Sequence, residues 1–465
     1  MSEPHKPIVP YTEDEQNQAS VAHNYFKQDQ FDSVLGVVKK LLKNHPNDLC
    51  LMHNKVLTEF YKSGKTKTVE FKKSLSKIHK AFQQLKEEED VVIKGEKTNH
   101  VTLCYNHALV MFNIHQFSEA QSLLEKLYPT LEGVEEQEYV KICLLLIECY
   151  LVNCHPAKAE SIINDVRLFF PDLEESNKRT DKQPGQVTPE ENEWLTNHLR
   201  YSRARCYLKQ RMIKACKREL KTLTTHPQHN MPNVATVFLR SNFEFARCNY
   251  HKAYKLLGTS PTTAENNVLY DNLNTMCDNN LAVIYSSMGK YHLGNFYMEK
   301  ALKENEIWIN TALKQQNNGG KGSNNYPISI LRMNKRYELL YNRGIQLLHG
   351  GDSSSAFDCF ITVAQVYHSN PRLWLRIAEC CIHKCTTASE NEGRCIFFIL
   401  SQFVLNYCLY FFHFLFTVFL LTLMFFKDPK FVSFLFFFTY NYLENHLFSF
   451  QHFRVDYLCV YLSLV

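Results

Sequence analysis

Small residues recur along this chain at a fixed step, with aromatics set between them. The clearest instance is Asn280-Leu281-Ala282-Val283-Ile284-Tyr285, followed by Gly289, Tyr291 and Gly294 and closed by Ala301. Ala282 and Gly294 stand twelve positions apart, with Tyr285 on the first segment, Gly289 at the turn and Tyr291 opening the second. Gly344 to Ala356 is again twelve, with Phe360 one helical turn further on. Beyond it, Asn370-Pro371-Arg372-Leu373-Trp374 leads to Ala378, and Gly344 to Ala378 spans 34 positions. Looser copies pair Ala108 with Ala120 around Met111 and Phe117, Ile147 with Ala159 around Tyr150, Ala204 with Cys216 around Tyr207, and Ser241 with Ala253 around Tyr250. Ala22, Tyr25, Phe31, Val34 and Pro46 fit the same template, and Leu49 to Leu85 reads as one further helical pair.

Packing explains the step. Two helices joined by a short turn cross with axes about 8–10 Å apart, which demands small side chains at the contact. Aromatics then fill the groove against the next pair, each contributing roughly 1.5–3 kcal/mol on burial. The pattern predicts an all-α protein, a superhelix of stacked helix pairs whose core forms only between neighbours. A period of about 34 residues is that of the tetratricopeptide repeat. Ala108, Ala120, Ala204, Ala253, Ala282, Tyr285, Gly289, Gly294, Gly344, Ala356, Phe360, Trp374 and Ala378 are the expected repeat-packing residues. Asn106, Asn280 and Asn342 are the expected partner contacts, because the first helix of each pair lines the inner face in this repeat class.

Composition divides the chain. Glycine and proline number only 15 each among 465 residues and cluster, leaving long stretches free for helix. The expected organisation is a disordered leader at 1–17, repeats at 18–170, a flexible charged insertion at 171–193, repeats at 194–314, a Gly/Asn loop at 315–328, repeats at 329–392 and a hydrophobic tail at 393–465. The tail stands apart: residues 396–465 hold 18 of the chain's 33 phenylalanines and no alanine or glycine. Residues 396–426 carry no Asp, Glu, Lys or Arg, long enough to span a bilayer. Three readings compete: a membrane anchor, a buried core segment, and translated non-coding sequence such as a retained intron. The last fits best, since Phe, Tyr, Leu, Ile and Asn have AT-rich codons, while membrane helices keep small residues for packing.

The remaining chemistry is spare. A net charge of +5 offers little phosphate attraction, so direct nucleic-acid binding is not expected. The basic run from Lys214 to Lys221 reads as a solvated helix face, and the acidic run from Glu87 to Asp90 as a solvated helix end. The 16 cysteines lie among leucines and alanines with no secretory signal, which points to free thiols in a reducing compartment. Cys380, Cys381, His383 and Cys385 lie close together but lack a second Cys/His pair at zinc spacing. No phosphate loop, GxSxG elbow or HExxH helix is present, and histidines such as His79, His107 and His292 occur singly, so neither a cofactor nor catalysis is expected. A peptide clamp for C-terminal carboxylates is disfavoured too. The matching first-helix positions are Thr102, His198, Ala235, Met276 and Glu338, none of them Lys or Arg.

Two motifs carry a family resemblance. The stretches from Asn334 to Leu348 (NKRYELLYNRGIQLL) and from Val366 to Cys381 (VYHSNPRLWLRIAECC) resemble the subunit-10 family of the Ccr-Not messenger-RNA deadenylase complex. Lys214 to Lys221 and Leu239 to Leu257 are similar as well, and the likeness runs from about residue 15 to about residue 383. The resemblance implies a non-catalytic adaptor that pairs with subunit 11 and docks on the large scaffold subunit. It also implies a role in poly(A) shortening, mRNA decay and translational repression, in the cytoplasm and secondarily in the nucleus. The family continues with further helical repeats where the phenylalanine-rich tail stands here. A generic tetratricopeptide scaffold or co-chaperone module, membrane-anchored only if the tail is a genuine span, is the alternative.

Overall fold

The computed structural model describes residues 11–88, 94–170, 189–225, 234–259, 273–316, 327–368 and 370–387. The hydrophobic tail, most of the 171–193 insertion and most of the Gly/Asn loop lie outside the described residues. Among the described residues every regular element is a helix, and none is long and apolar enough to cross a membrane.

The helices come in pairs. They are α1 (Glu13–Lys27) with α2 (Phe31–Asn44), α3 (Leu49–Lys62) with α4 (Thr68–Glu88), α5 (Lys94–Asn113) with α6 (Phe117–Leu127), and α7 (Glu136–Val152) with α8 (Pro156–Phe169). Then follow α9 (Pro189–Lys209) with α10 (Ile213–Thr225), α11 (Val234–Ala246) with α12 (Tyr250–Gly258), and α13 (Leu273–Ser287) with α14 (Tyr291–Gln316). The short α15 (Ile328–Met333) precedes α16 (Arg336–His349) with α17 (Ser353–Ala364), and α18 (Pro371–Thr387) closes the series. Each helix packs on its partner, and the pairs stack in chain order.

One turn geometry joins the pairs. A residue in the left-handed region stands at Asp29, Lys65, His115, Cys154, Arg211, Cys248, Gly289 and Gly351, with φ between 58° and 88°. Each lies seven positions after a buried residue of the first helix: Ala22, Thr58, Ala108, Ile147, Ala204, Ser241, Ala282 and Gly344. In most of these turns the next residue's N–H reaches back to a carbonyl in the last helical turn, as in His155 to Tyr150 at 2.8 Å and Lys290 to Tyr285 at 2.9 Å. This closure satisfies carbonyls left orphaned at the helix end. Of these eight, Gly289 and Gly351 carry no side-chain penalty, and in the α3–α4 turn the left-handed Gly64 precedes Lys65, whose N–H closes on the Phe60 carbonyl at 3.0 Å. The other six carry Cβ atoms there, at roughly 1 kcal/mol apiece.

The leader is shorter than expected. Residues 13–17 belong to α1, because Thr12 and Glu15 form a capping box. The Glu15 N–H donates to Thr12 Oγ1 at 3.3 Å, and the Thr12 N–H donates to Glu15 Oε2 at 3.0 Å. That box starts a helix from polar sequence, and Ala22 then packs it on Val34 and Val38. Residues 189–193 likewise begin α9 rather than ending the insertion, with Pro189 at the helix start. Gln315 and Gln316 extend α14 into the expected Gly/Asn loop.

The array also closes on itself. The Ile328 N–H donates to the Lys65 carbonyl at 3.2 Å, and the His115 imidazole Nε2 lies 2.8 Å from the Leu331 carbonyl. The Tyr367 ring stacks on Phe117, and Tyr337 lies against His115. Tyr341, Ile345, Phe360 and Leu373 share one continuous core with Val101, Leu145 and Ile163. The C-terminal pairs thus cover a face of the N-terminal ones.

Candidate protein-docking surface

The small-residue step sits at the helix crossings. Ala108, Ala120, Ala204, Ala253, Ala282 and Ala356 have no exposed surface, and Gly294 and Gly344 are buried. The Ser241 hydroxyl donates across one crossing to the Ala253 carbonyl at 2.9 Å, so residues twelve apart meet in space. At Gly294 the neighbours are the Ser286 hydroxyl and the Ala282 carbonyl. At Gly344 the neighbour is the Phe360 ring, not Ala356. Phe360 is itself fully buried and meets Tyr341 edge-on at 5.7 Å. Trp374 and Ala378 on α18 are half-buried, and the Trp374 indole N–H donates to the His368 carbonyl at 2.7 Å.

Two of the three expected partner-contact residues are interior. Asn342 is fully buried and donates through Nδ2 to Asn279 Oδ1 at 2.8 Å; Asn279 donates in turn to Asn280 Oδ1 at 3.0 Å. The three amides form a ladder joining α13 to α16, and Gln346 extends it to the Ser286 hydroxyl at 2.8 Å. A buried polar side chain is tolerated when its hydrogen bonds are made inside. Asn342 therefore ties α16 to α13, while Asn280 accepts from Asn279 within α13 and is buried with its own Nδ2 unpartnered; both lie in the interior. Asn106 is half-buried, with Nδ2 donating to His53 Nε2 at 3.3 Å. Burial depresses the His53 pKa to about 4, which keeps that ring a neutral acceptor.

A second interior feature fixes the middle of the array. Glu148 on α7 and Arg205 on α9 pair in a two-pronged salt bridge, with Arg205 Nη2 at 3.1 Å from Glu148 Oε2. Both are buried, and the guanidinium lies over the Tyr201 ring at 5.5 Å.

An outward-facing aromatic surface crosses α12, α13 and α14. Tyr254 meets Tyr285 at 5.8 Å, Tyr285 stacks on Tyr297 at 5.4 Å, and Tyr297 meets Phe296 edge-on at 5.3 Å. Tyr254 is 43% exposed, Phe296 59% and Ile307 63%, so this ladder faces outward. Leu293, Phe296 and Ile307 share one face of α14 by helical spacing, with Tyr297 at its edge. Lys300 sits within that face and pairs with Asp278 at 3.0 Å, giving the apolar ladder a polar member. Burial and the Tyr254 hydroxyl push the Tyr285 phenol up to about 12, so it stays a neutral donor at physiological pH. Tyrosine and phenylalanine on a packed helix face, with the Lys300–Asp278 pair among them, have the make-up of protein-interface hot spots. Tyr285 was expected as a packing residue; it also centres this ladder. Tyr291, which opens α14, is 53% exposed. The alternation of aromatics foretold helices but not which side they leave uncovered.

The cysteines and the histidine near 383 differ in exposure, and the Cys385 side chain lies outside the described residues. Cys380 and Cys381 are buried on α18 while His383 is exposed, and burial pushes the Cys380 thiol up to about 12.

Stacked antiparallel helix pairs, with small residues at each crossing and a repeated left-handed turn, define an α-α repeat protein of the tetratricopeptide kind. No family model matches the sequence. Two solved structures are similar at low identity. A Rap protein complexed with competence and sporulation factor has 12% identity and a TM-score of 0.42, covering 79% of this chain and 97% of its own. A tetratricopeptide repeat protein from Parabacteroides merdae has 10% identity and a TM-score of 0.39, covering 79% of this chain and 99% of its own. Among curated proteins, CCR4-NOT transcription complex subunit 10-B of Xenopus laevis is 34% identical over 387 residues, 79% of this chain and 51% of that protein. CCR4-NOT transcription complex subunit 10 of Danio rerio is 45% identical over 197 residues, 41% of this chain and 31% of that protein. Over most of its length the chain is homologous to proteins named CCR4-NOT transcription complex subunit 10. It spans about half the length of those relatives.

Proposed function

We propose that this chain is a non-catalytic, protein-binding subunit of a CCR4-NOT complex. The observation that carries the reading is an outward aromatic ladder on a rigid repeat array in a chain homologous to CCR4-NOT subunit 10. A complex subunit of this class works by presenting fixed side chains to other subunits. The resemblance of Asn334 to Leu348 and of Val366 to Cys381 to the subunit-10 family supports the large scaffold subunit and subunit 11 as the partners. In this role the chain supports poly(A) shortening, mRNA decay and translational repression, acting in the cytoplasm and secondarily in the nucleus. The ladder from Tyr254 to Phe296 is the contact.

Affinity purification of the full chain with mass spectrometry tests this. Co-recovery of the scaffold subunit and subunit 11 supports it. Phe296→Asp and Tyr254→Ser are expected to reduce that recovery at least tenfold without changing the helical circular-dichroism signal. Loss of one hot-spot residue costs about 2 kcal/mol or more. Recovery of neither subunit with the parent chain overturns the reading. Unchanged recovery with both variants removes the ladder from it.

A further inference from the structure

His79, His100 and Cys104 bring their ligand atoms within 4.8 Å of one another between α4 and α5. Cys104 Sγ lies 3.4 Å from His79 Nδ1 and 3.5 Å from His100 Nε2. A tetrahedral zinc ion, with Zn–S of about 2.3 Å and Zn–N of about 2.0–2.1 Å, sets its sulfur and nitrogen ligands about 3.5 Å apart. The sulfur is therefore already where a shared metal requires it, relative to both nitrogens.

The sequence spacing suits the chemistry. His100 and Cys104 are one helical turn apart on α5, so both project from one face, and His79 reaches them from the neighbouring α4. Cys104 is 1% exposed, while the two histidines are half-buried, so an ion is anchored at depth by the thiolate and reached from the solvent side. The remaining ring nitrogen of His79, Nε2, lies 3.0 Å from the Gln83 side-chain amide, whose oxygen can accept the imidazole N–H once the amide is turned. A ligating histidine ordinarily donates its other N–H to such a neighbour. The Phe82 ring lies edge-on to His100 at 5.5 Å and fixes its plane.

We propose that His79, His100 and Cys104 bind one zinc ion, or a divalent cation of the same borderline softness, with water in the fourth position. Two imidazoles and one thiolate form a donor set that suits zinc and disfavours magnesium and calcium. On binding, the Cys104 thiol gives its proton to solvent, and sulfur and two nitrogens each donate an electron pair to the ion. The ion then clasps α4 to α5, whose connecting residues 89–93 lie outside the described residues. A metal holding two helices stabilises the fold by its own binding free energy.

The test uses the purified full chain, stripped with a chelator and reloaded with zinc alone or cobalt alone. One equivalent of tightly held zinc is expected, and the cobalt form is expected to show a thiolate-to-metal charge-transfer band. Cys104→Ser should abolish the band, and His100→Gln should weaken zinc binding at least tenfold, both with unchanged far-ultraviolet circular dichroism. Zinc should also slow amide exchange in peptides from α4 and α5. The surface-side His100→Gln keeps the test decisive if Cys104→Ser fails to fold. No retained zinc and no charge-transfer band in the parent chain would overturn the proposal, leaving two ordinary thiol–imidazole contacts. Equal zinc affinity in the parent and His100→Gln would overturn it equally, placing the metal elsewhere.

Discussion

The Gly344–Phe360 contact offers the sharpest test of how the repeats pack. A Cβ at Gly344 would lie 2.7 Å from Phe360 Cε1, 2.8 Å from Cζ and 3.0 Å from Cδ1. Those distances are far inside van der Waals contact, and the ring has nowhere to swing, being fully buried against Tyr341. Overpacking of this kind costs about 1–3 kcal/mol. Alanine in place of an interior helical glycine returns about 1 kcal/mol. Gly344→Ala should therefore destabilise by about 0–2 kcal/mol, and Gly344→Leu by more. Phe360→Leu alone leaves a cavity and costs about 1–2 kcal/mol, less than the 3–5 of truncation to alanine. In the double variant the missing ring atoms make room for the new methyl, so the losses should fall short of their sum by about 1 kcal/mol or more. The assay is urea unfolding of the full chain by circular dichroism, read beside amide exchange in peptides from α16 and α17. The local readout is needed because long repeat arrays need not unfold in one step. Additivity within about 0.5 kcal/mol would refute the reasoning, since it would mean that the two side chains do not compete for one space.

Three further outcomes are expected. Arg205→Ala strands the Glu148 carboxylate in the interior and should cost about 3–5 kcal/mol, whereas Glu148→Leu with Arg205→Met should recover most of it, both read from urea midpoints. Cys248→Gly relieves a left-handed residue that is exposed, and should raise stability by up to about 1 kcal/mol, while Gly289→Ala should lower it by about as much. His53 has a pKa of about 4 in the fold and an ordinary value of 6.5 when unfolded, so the unfolded chain binds the extra proton between those values. Stability should thus fall as pH drops from 6.5 towards 4, by on the order of 3 kcal/mol from this group. A His53→Gln variant with the same acid slope as its parent would count against that assignment.

The parts of this architecture readable in the sequence are those dictated locally. A crossing at 8–10 Å admits only small residues, so Ala282, Gly344 and their twelve-step partners are visible as a spacing. The left-handed turn is marked by glycine at Gly289 and Gly351, whereas at Lys65, Cys154, Arg211 and Cys248 the fold imposes that conformation on residues that do not prefer it. Thr58, the buried residue preceding Lys65, has no small residue twelve positions on, because α3 and α4 are joined by a longer turn. The amides of Asn280 and Asn342 read as surface groups because no sequence pattern reveals that Asn279 accepts from Asn342 and donates to Asn280 in the interior. The closure of the C-terminal pairs over the N-terminal ones depends on contacts between distant residues, which have no periodic signature. The outward ladder has the same origin: whether Phe296 is covered is decided by what stacks beside α14, not by α14 itself.

That closure has a temporal side. His115 and Leu331 are 216 residues apart in the chain. At a synthesis rate of roughly 5–20 residues per second, the N-terminal pairs wait about 10–40 s for the segment that covers them. During that interval the growing polypeptide shows its chaperones, and any co-translational assembly partner, a face that the finished molecule hides.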